Sequence, residues 1–157
     1  MLQILSSLSS WLHALATVIF IGHYLLLSLV YLPAAGNGKP EIWGPILSEI
    51  SKRSRGWLYA SLLILVITGI YMTVVDPNYL GFANFGNVWG ILMLLKHFLI
   101  VAMIGIGFWF NAILRVGPLM SSNSGGAAAI ARFRFYSNLM AVAGMLVLFL
   151  TAFAQAQ

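Results

Sequence analysis

The sequence predicts an all-α integral membrane protein, built as one four-transmembrane-helix antiparallel bundle over residues 1–157 with both termini outside. Three observations carry that reading. Apolar residues make up 61% of the chain and charged residues 7%, whereas soluble domains are roughly 45–50% apolar. Four apolar segments each reach the roughly 17–25 residues that a spanning helix needs. The loop cations also alternate by side. Lys39, Lys52, Arg53 and Arg55 follow the first segment, and Arg115, Arg132 and Arg134 follow the third. The N-terminal stretch, the second connection and the C-terminal tail hold no lysine or arginine. By the positive-inside rule the two basic regions are cytoplasmic.

The segments follow in order. Helix I is expected over about 9–32, closed by Pro33; its apolar run exceeds the roughly 7–15 residues of a signal peptide, and no basic residue precedes it, so it should be retained as a span. The loop 34–55 contains a stretch over 40–50 that is expected to form an amphipathic helix on the inner surface. Helix II is expected over about 56–75, closed by Asp76-Pro77. The connection 76–87 is rich in aromatics and turn residues, with Tyr79, Phe82 and Phe85 placed as an interfacial belt or as a lid over an outward-facing pocket. Helix III is expected over about 88–114, a plain flexible connection over 121–126, and helix IV over about 135–153.

Composition also excludes function classes. The net charge is +5, but the cations sit at helix ends, as topology signals do, and not in a nucleic-acid-like patch. With no cysteine in the chain, disulfides, thiolate metal sites and thiol nucleophiles are ruled out. The partners expected are the lipid bilayer and, beyond it, other membrane subunits or a quinone, with no nucleic acid. The expected location is the bacterial inner (plasma) membrane.

Helix III carries the most informative residues, Lys96 and His97, well inside an apolar run. A cation at membrane depth costs roughly 2.5–3.5 kcal/mol on insertion scales, so such residues face a bundle interior or a wet cavity. Helix I adds His13 and His23. At about 100° per residue, His13 shares a stripe with Phe20, Tyr24 and Tyr31, and His23 lies about 80° to one side. Counted from Trp11 and Trp89 at ~1.5 Å per residue, His13 is about 3 Å deep, His97 about 12 Å and His23 about 18 Å. His97 falls between the two, so either is open as its partner.

Imidazoles on facing helices of a bundle suit a b-type haem. Gly22, Gly69, Gly105, Gly107 and Gly144 leave room for a macrocycle, with Phe20 and Phe108 as aromatic walls. Lys96, or Arg53 with Arg55, would neutralise the propionates. The metal ligands expected are thus His97 and one of the two helix I histidines, His13 or His23. Two further readings stand beside this one. The same histidines with Met93 and Met103 would make a copper site, since thioether sulfur is a soft ligand. A chain of this size is also suited to be a cofactor-free structural subunit of a larger membrane complex. The residues do not decide whether the chain is an enzyme.

Several phrases resemble a known family. Leu12-His13, the run Phe20-Ile-Gly-His23, Leu32-Pro33, Ile67-Thr68-Gly69-Ile70-Tyr71, and Trp89 followed by Leu94-Leu-Lys96-His97 resemble the first three helices of CopD-like membrane proteins. A histidine early in helix I, an arginine before helix II and a lysine in helix III are similar to the outline of HemJ-type protoporphyrinogen oxidases. The likeness covers roughly residues 12–114. It implies a four-helix membrane module associated with copper uptake, or with haem b and porphyrin oxidation. By position His13, Arg55 and Lys96 match the HemJ-type outline, which favours His13 as the ligand on helix I. Leu94 stands where that outline has a histidine, and His97 follows the lysine instead.

Overall fold

The computed structural model describes residues 2–36, 40–81, 86–113 and 126–156. Lys39, Phe82, Phe85, Arg115 and the connection 121–125 lie outside the described residues. Those described are almost entirely helical, and no strand occurs among them. Helix α1 spans Leu2–Leu26, runs into a π-helical turn at Leu27–Tyr31 and continues as the short helix α2, Leu32–Gly36. Helix α3 is Pro40–Val75, α4 is Val88–Ile113 and α5 is Gly126–Gln155. Four stretches within them, Gln3–Ala35, Ile42–Val75, Val88–Phe108 and Ala131–Gln155, are long and apolar enough to cross a membrane. The expected all-helical class and the four spans of that length are therefore present.

The helix ends correct the expectation in three places. Helix I does not close at Pro33. The Leu32 amide bonds to the Leu27 carbonyl, which completes a wider turn, and Pro33 then sits in the first turn of α2. There it has no N–H to give to the ladder, and the wider turn before it carries the helix past the proline. The loop 34–55 also does not separate two helices, because Pro40–Val75 is one helix with Pro45 inside it. Lysine and arginine are good helix formers, so the polar run at 51–55 continues the helix that the charge pattern interrupts. Finally, α5 begins at Gly126, about two turns before the expected start. The small residues of 126–131 are compatible with helix even though they are too short to announce it.

Packing centres on the first helix. The buried core draws Phe20, Ile21 and Tyr24 from α1, with Leu27 and Leu32 beyond them; Met103 comes from α4, and Phe133, Met140 and Val147 from α5. On one side α1 meets α3, where Ser6 Oγ lies 3.3 Å from the Tyr71 hydroxyl and His13 reaches Thr68. On the other side it meets α5, where Ser28 donates to Asn138 Oδ1 at 2.7 Å. Arg134 of α5 donates to the Leu32 carbonyl at 3.1 Å, and this ties the far end of the first helix to α5. Helix α4 packs on α5 and meets α3 through the stacked rings of Tyr59 and Phe108, whose centroids are 5.8 Å apart. In effect α1 is clamped between α3 and α5, and anything it carries is positioned from both sides.

Candidate functional site

The site is assembled at the level of His13. This half-buried ring places Nδ1 2.8 Å from the hydroxyl oxygen of Thr68. Thr68, itself buried, donates its single hydroxyl proton to the Ile64 carbonyl at 2.6 Å. A threonine hydroxyl has one proton and a carbonyl has none. The contact at His13 must therefore run the other way, with Nδ1–H donating to Thr68. In the neutral imidazole this leaves Nε2 as the free lone pair.

The same logic applies on α4. His97 Nδ1 lies 2.6 Å from the Met93 carbonyl, one turn back on its own helix. A carbonyl only accepts, so Nδ1 of His97 carries the proton and Nε2 is again the open nitrogen. Metal-ligating histidines nearly always have this form, with one ring N–H donated to an oxygen and the other nitrogen offered to the metal. Lys96 and His97 are both near enough to His13 to act on its ring electrostatically. Lys96 and His97 thus lie within charge-interaction range of His13, on a helix that packs mainly on α5 and makes little direct contact with α1. No carboxylate of the described residues forms an ion pair with Lys96; the one ion pair among them joins Arg53 to Glu49 at 2.6 Å.

Other candidates fall elsewhere. His23 is ten residues beyond His13, about 15 Å along the helix. It lines a surface hollow whose walls, including Gly22, Leu26 and Leu29, all come from the first helix and its π-helical turn. Its ring meets Tyr24 edge-on with centroids 5.3 Å apart, and among the described residues no hydrogen bond reaches it. Arg55 is exposed and stands at one end of a cleft between α1, α3 and α4, beside Tyr24, Tyr59 and Phe108. Thirteen residues separate it from Thr68 on α3, about 20 Å, so it is remote from the His13 level. Met103 is buried in the core cluster, while Met93 contributes its carbonyl to His97. Among the described residues no group of three or more histidine, cysteine or acidic side chains is gathered as a metal site.

The glycines expected to leave space for a macrocycle divide in use. A Cβ at Gly69 would come 3.4 Å from Cε1 of His13, and one at Gly144 would come 2.8 Å from Cγ2 of Ile21. At Gly107 it would meet the Tyr24 hydroxyl at 3.8 Å. Those three positions are taken up by neighbours, whereas Gly22 and Gly105 face open space within 4 Å. Gly69 is the one at the site, and its missing side chain seats the His13 ring. In the sequence Thr68 stands out only within the phrase Ile67-Thr68-Gly69-Ile70-Tyr71. Its signal was a polar residue in an apolar helix one position before a glycine.

The described residues form a bundle with four helices long and apolar enough to cross a membrane, in which His13 is bonded to Thr68 and lies in charge-interaction range of Lys96 and His97. No protein-family model, curated protein or solved structure matches this chain.

Proposed function

We propose that the chain is an integral protein of the bacterial inner membrane, with antiparallel helices and both termini outside, that holds one b-type haem for electron transfer or redox chemistry. His13 and His97 are the axial ligands in this reading, and Lys96 neutralises a propionate. The observation that supports it best is the matched state of the two histidines. Each commits Nδ1–H to an oxygen and keeps Nε2 free, and Lys96 and His97 are in charge-interaction range of His13. The donor set therefore fits haem iron, for which bis-imidazole ligation from facing helices is a common arrangement. When bound, haem supplies one-electron exchange at its iron. The protein's part is to hold the ligand nitrogens, exclude water with apolar helices and offset the propionate charge. Among the described residues no acidic side chain forms an ion pair with Lys96, so its charge can serve an anionic group. His13 is preferred to His23 because Lys96 and His97 act on the His13 ring, whereas His23 lies about 15 Å further along α1 in a hollow walled only by its own helix and turn. The electron partner is a quinone or another membrane subunit.

The test is an absorption spectrum of the purified protein. A Soret band with a b-type α-band after dithionite reduction is expected. Bound copper without a Soret band would move the assignment to a copper-handling transport module of CopD-like type. Neither signal would leave a cofactor-free structural subunit.

The proposed orientation is open to a separate check. The chain has no cysteine, so single cysteines report cleanly. Asn78→Cys is expected to react with a membrane-impermeant maleimide in intact cells, and Ser122→Cys only after the membrane is opened. The opposite pattern would invert the topology.

A further inference from the structure

We infer that Thr68 is a positioning residue for His13: its hydroxyl, turned by the Ile64 carbonyl into an obligate acceptor, fixes the Nδ1–H tautomer so that Nε2 is the ligating nitrogen. The inference deepens the haem-site reading and rests on it only for its consequence at a bound metal. Its structural part stands on three observations around the His13–Thr68 bond.

The first is the hydroxyl proton of Thr68, committed to Ile64 at 2.6 Å. A hydroxyl with a free rotor would donate or accept, and would leave either tautomer of His13 equally satisfied. One whose proton is already engaged can only accept, which selects the tautomer. The second is burial, for Thr68 is only 7% exposed. Water is not there to compete, and in a low-dielectric setting a polar group that loses its partner is costly. The third is Gly69. A Cβ placed there would lie 3.4 Å from Cε1 and 4.0 Å from Nδ1 of His13, so the Nδ1–Cε1 edge of the ring rests against α3. Turning the ring over would present a carbon to the Thr68 oxygen and lose the bond. Consecutive residues of α3 thus supply the acceptor and the flat seat, and together they fix which nitrogen is offered and how the ring is held. Outer partners of this kind typically account for about 10–100-fold in metal affinity.

The experiment uses the full-length protein with 15N-labelled histidine in lipid nanodiscs, in wild type, Thr68→Val and Thr68→Ser. The His13 signals are assigned by their loss in His13→Asn. Valine keeps the shape and removes the acceptor, and serine restores it. Wild type and Thr68→Ser are expected to show a protonated Nδ1 and an unprotonated Nε2 at His13. Thr68→Val is expected to show a mixture with the other tautomer, while the His97 signals stay fixed in all three. In haem-loaded samples, Thr68→Val should lose haem to apomyoglobin about 10–100-fold more readily, with rescue by serine. An unchanged His13 tautomer in Thr68→Val overturns the inference. So does unchanged haem retention in Thr68→Val when His13→Ala abolishes binding, and that result leaves the haem reading intact. A wild-type protein that takes up no haem defeats the haem reading instead, and the tautomer signals still decide the role of Thr68.

Discussion

His97→Ala is expected to abolish the low-spin haem spectrum, and His13→Ala to do the same, whereas His23→Ala keeps it with a shifted potential. A haem with two axial imidazoles loses its low-spin state when either is withdrawn, because iron spin follows the axial ligand set. His97 is the only imidazole outside helix α1, so no other helix can replace it. On α1 the choice is between two histidines about 15 Å apart along the axis, too far for both to serve one iron. His13 is held by Thr68 with Nε2 free and lies near Lys96 and His97. His23 stands in a hollow lined only by its own helix and the turn that continues it. Reduced-minus-oxidised spectra and low-temperature electron paramagnetic resonance of the three variants decide the matter. Loss of the signal in His23→Ala with retention in His13→Ala would move the site along the bundle, away from Thr68. An unchanged spectrum in His97→Ala would leave ligation to α1 alone or to Lys96.

The variants also measure how far the sequence could be read. Hydropathy over about 18 residues is a sum, and sums survive local irregularity, so four spans were legible. So was the expense of Lys96 and His97 inside an apolar run, since it depends on residue type and depth alone. What could not be read depends on two helices at once. The His13–Thr68 bond joins residues 55 apart in the chain, and its existence depends on the rotation of α1 against α3, which no single-helix periodicity contains. His23 shows the same limit. An angle of about 80° from His13 is compatible with either the interior or the flank until it is known where α3 and α5 pack. The π-helical turn at Leu27–Tyr31 is equally silent, because Leu-Ser-Leu-Val-Tyr suits an ordinary helix. The continuity of α3 through 51–55 was hidden by charge, which marks exposure to water or headgroups but does not break a helix.

Gly144→Ala is expected to destabilise the bundle, although it adds only one methyl group. A Cβ at this position would fall 2.8 Å from Cγ2 of Ile21, 3.4 Å from Cγ1 and 3.6 Å from its Cβ. Real side chains do not approach so closely, so something must move. Ile21 is β-branched, and branching on Cβ leaves few alternative χ1 rotamers in a helix. It is also 5% exposed within the core, with no vacant side to turn into. The strain is therefore passed to the backbones, and α5 separates from α1. Overpacking of this kind typically costs about 1–3 kcal/mol. Small residues at helix contacts allow such close approach in membrane bundles, and α5 also carries the Ser28–Asn138 and Leu32–Arg134 contacts that share this interface. Unfolding by SDS titration of protein in mixed micelles reads the cost. The cause is tested by a double-mutant cycle with Ile21→Ala, which removes the atoms that clash. The double variant should be more stable than the sum of the single costs implies, by about 0.5–3 kcal/mol for residues in contact. Strict additivity would mean that α1 and α5 do not meet at this pair, and that the packing of α5 on α1 has been misplaced.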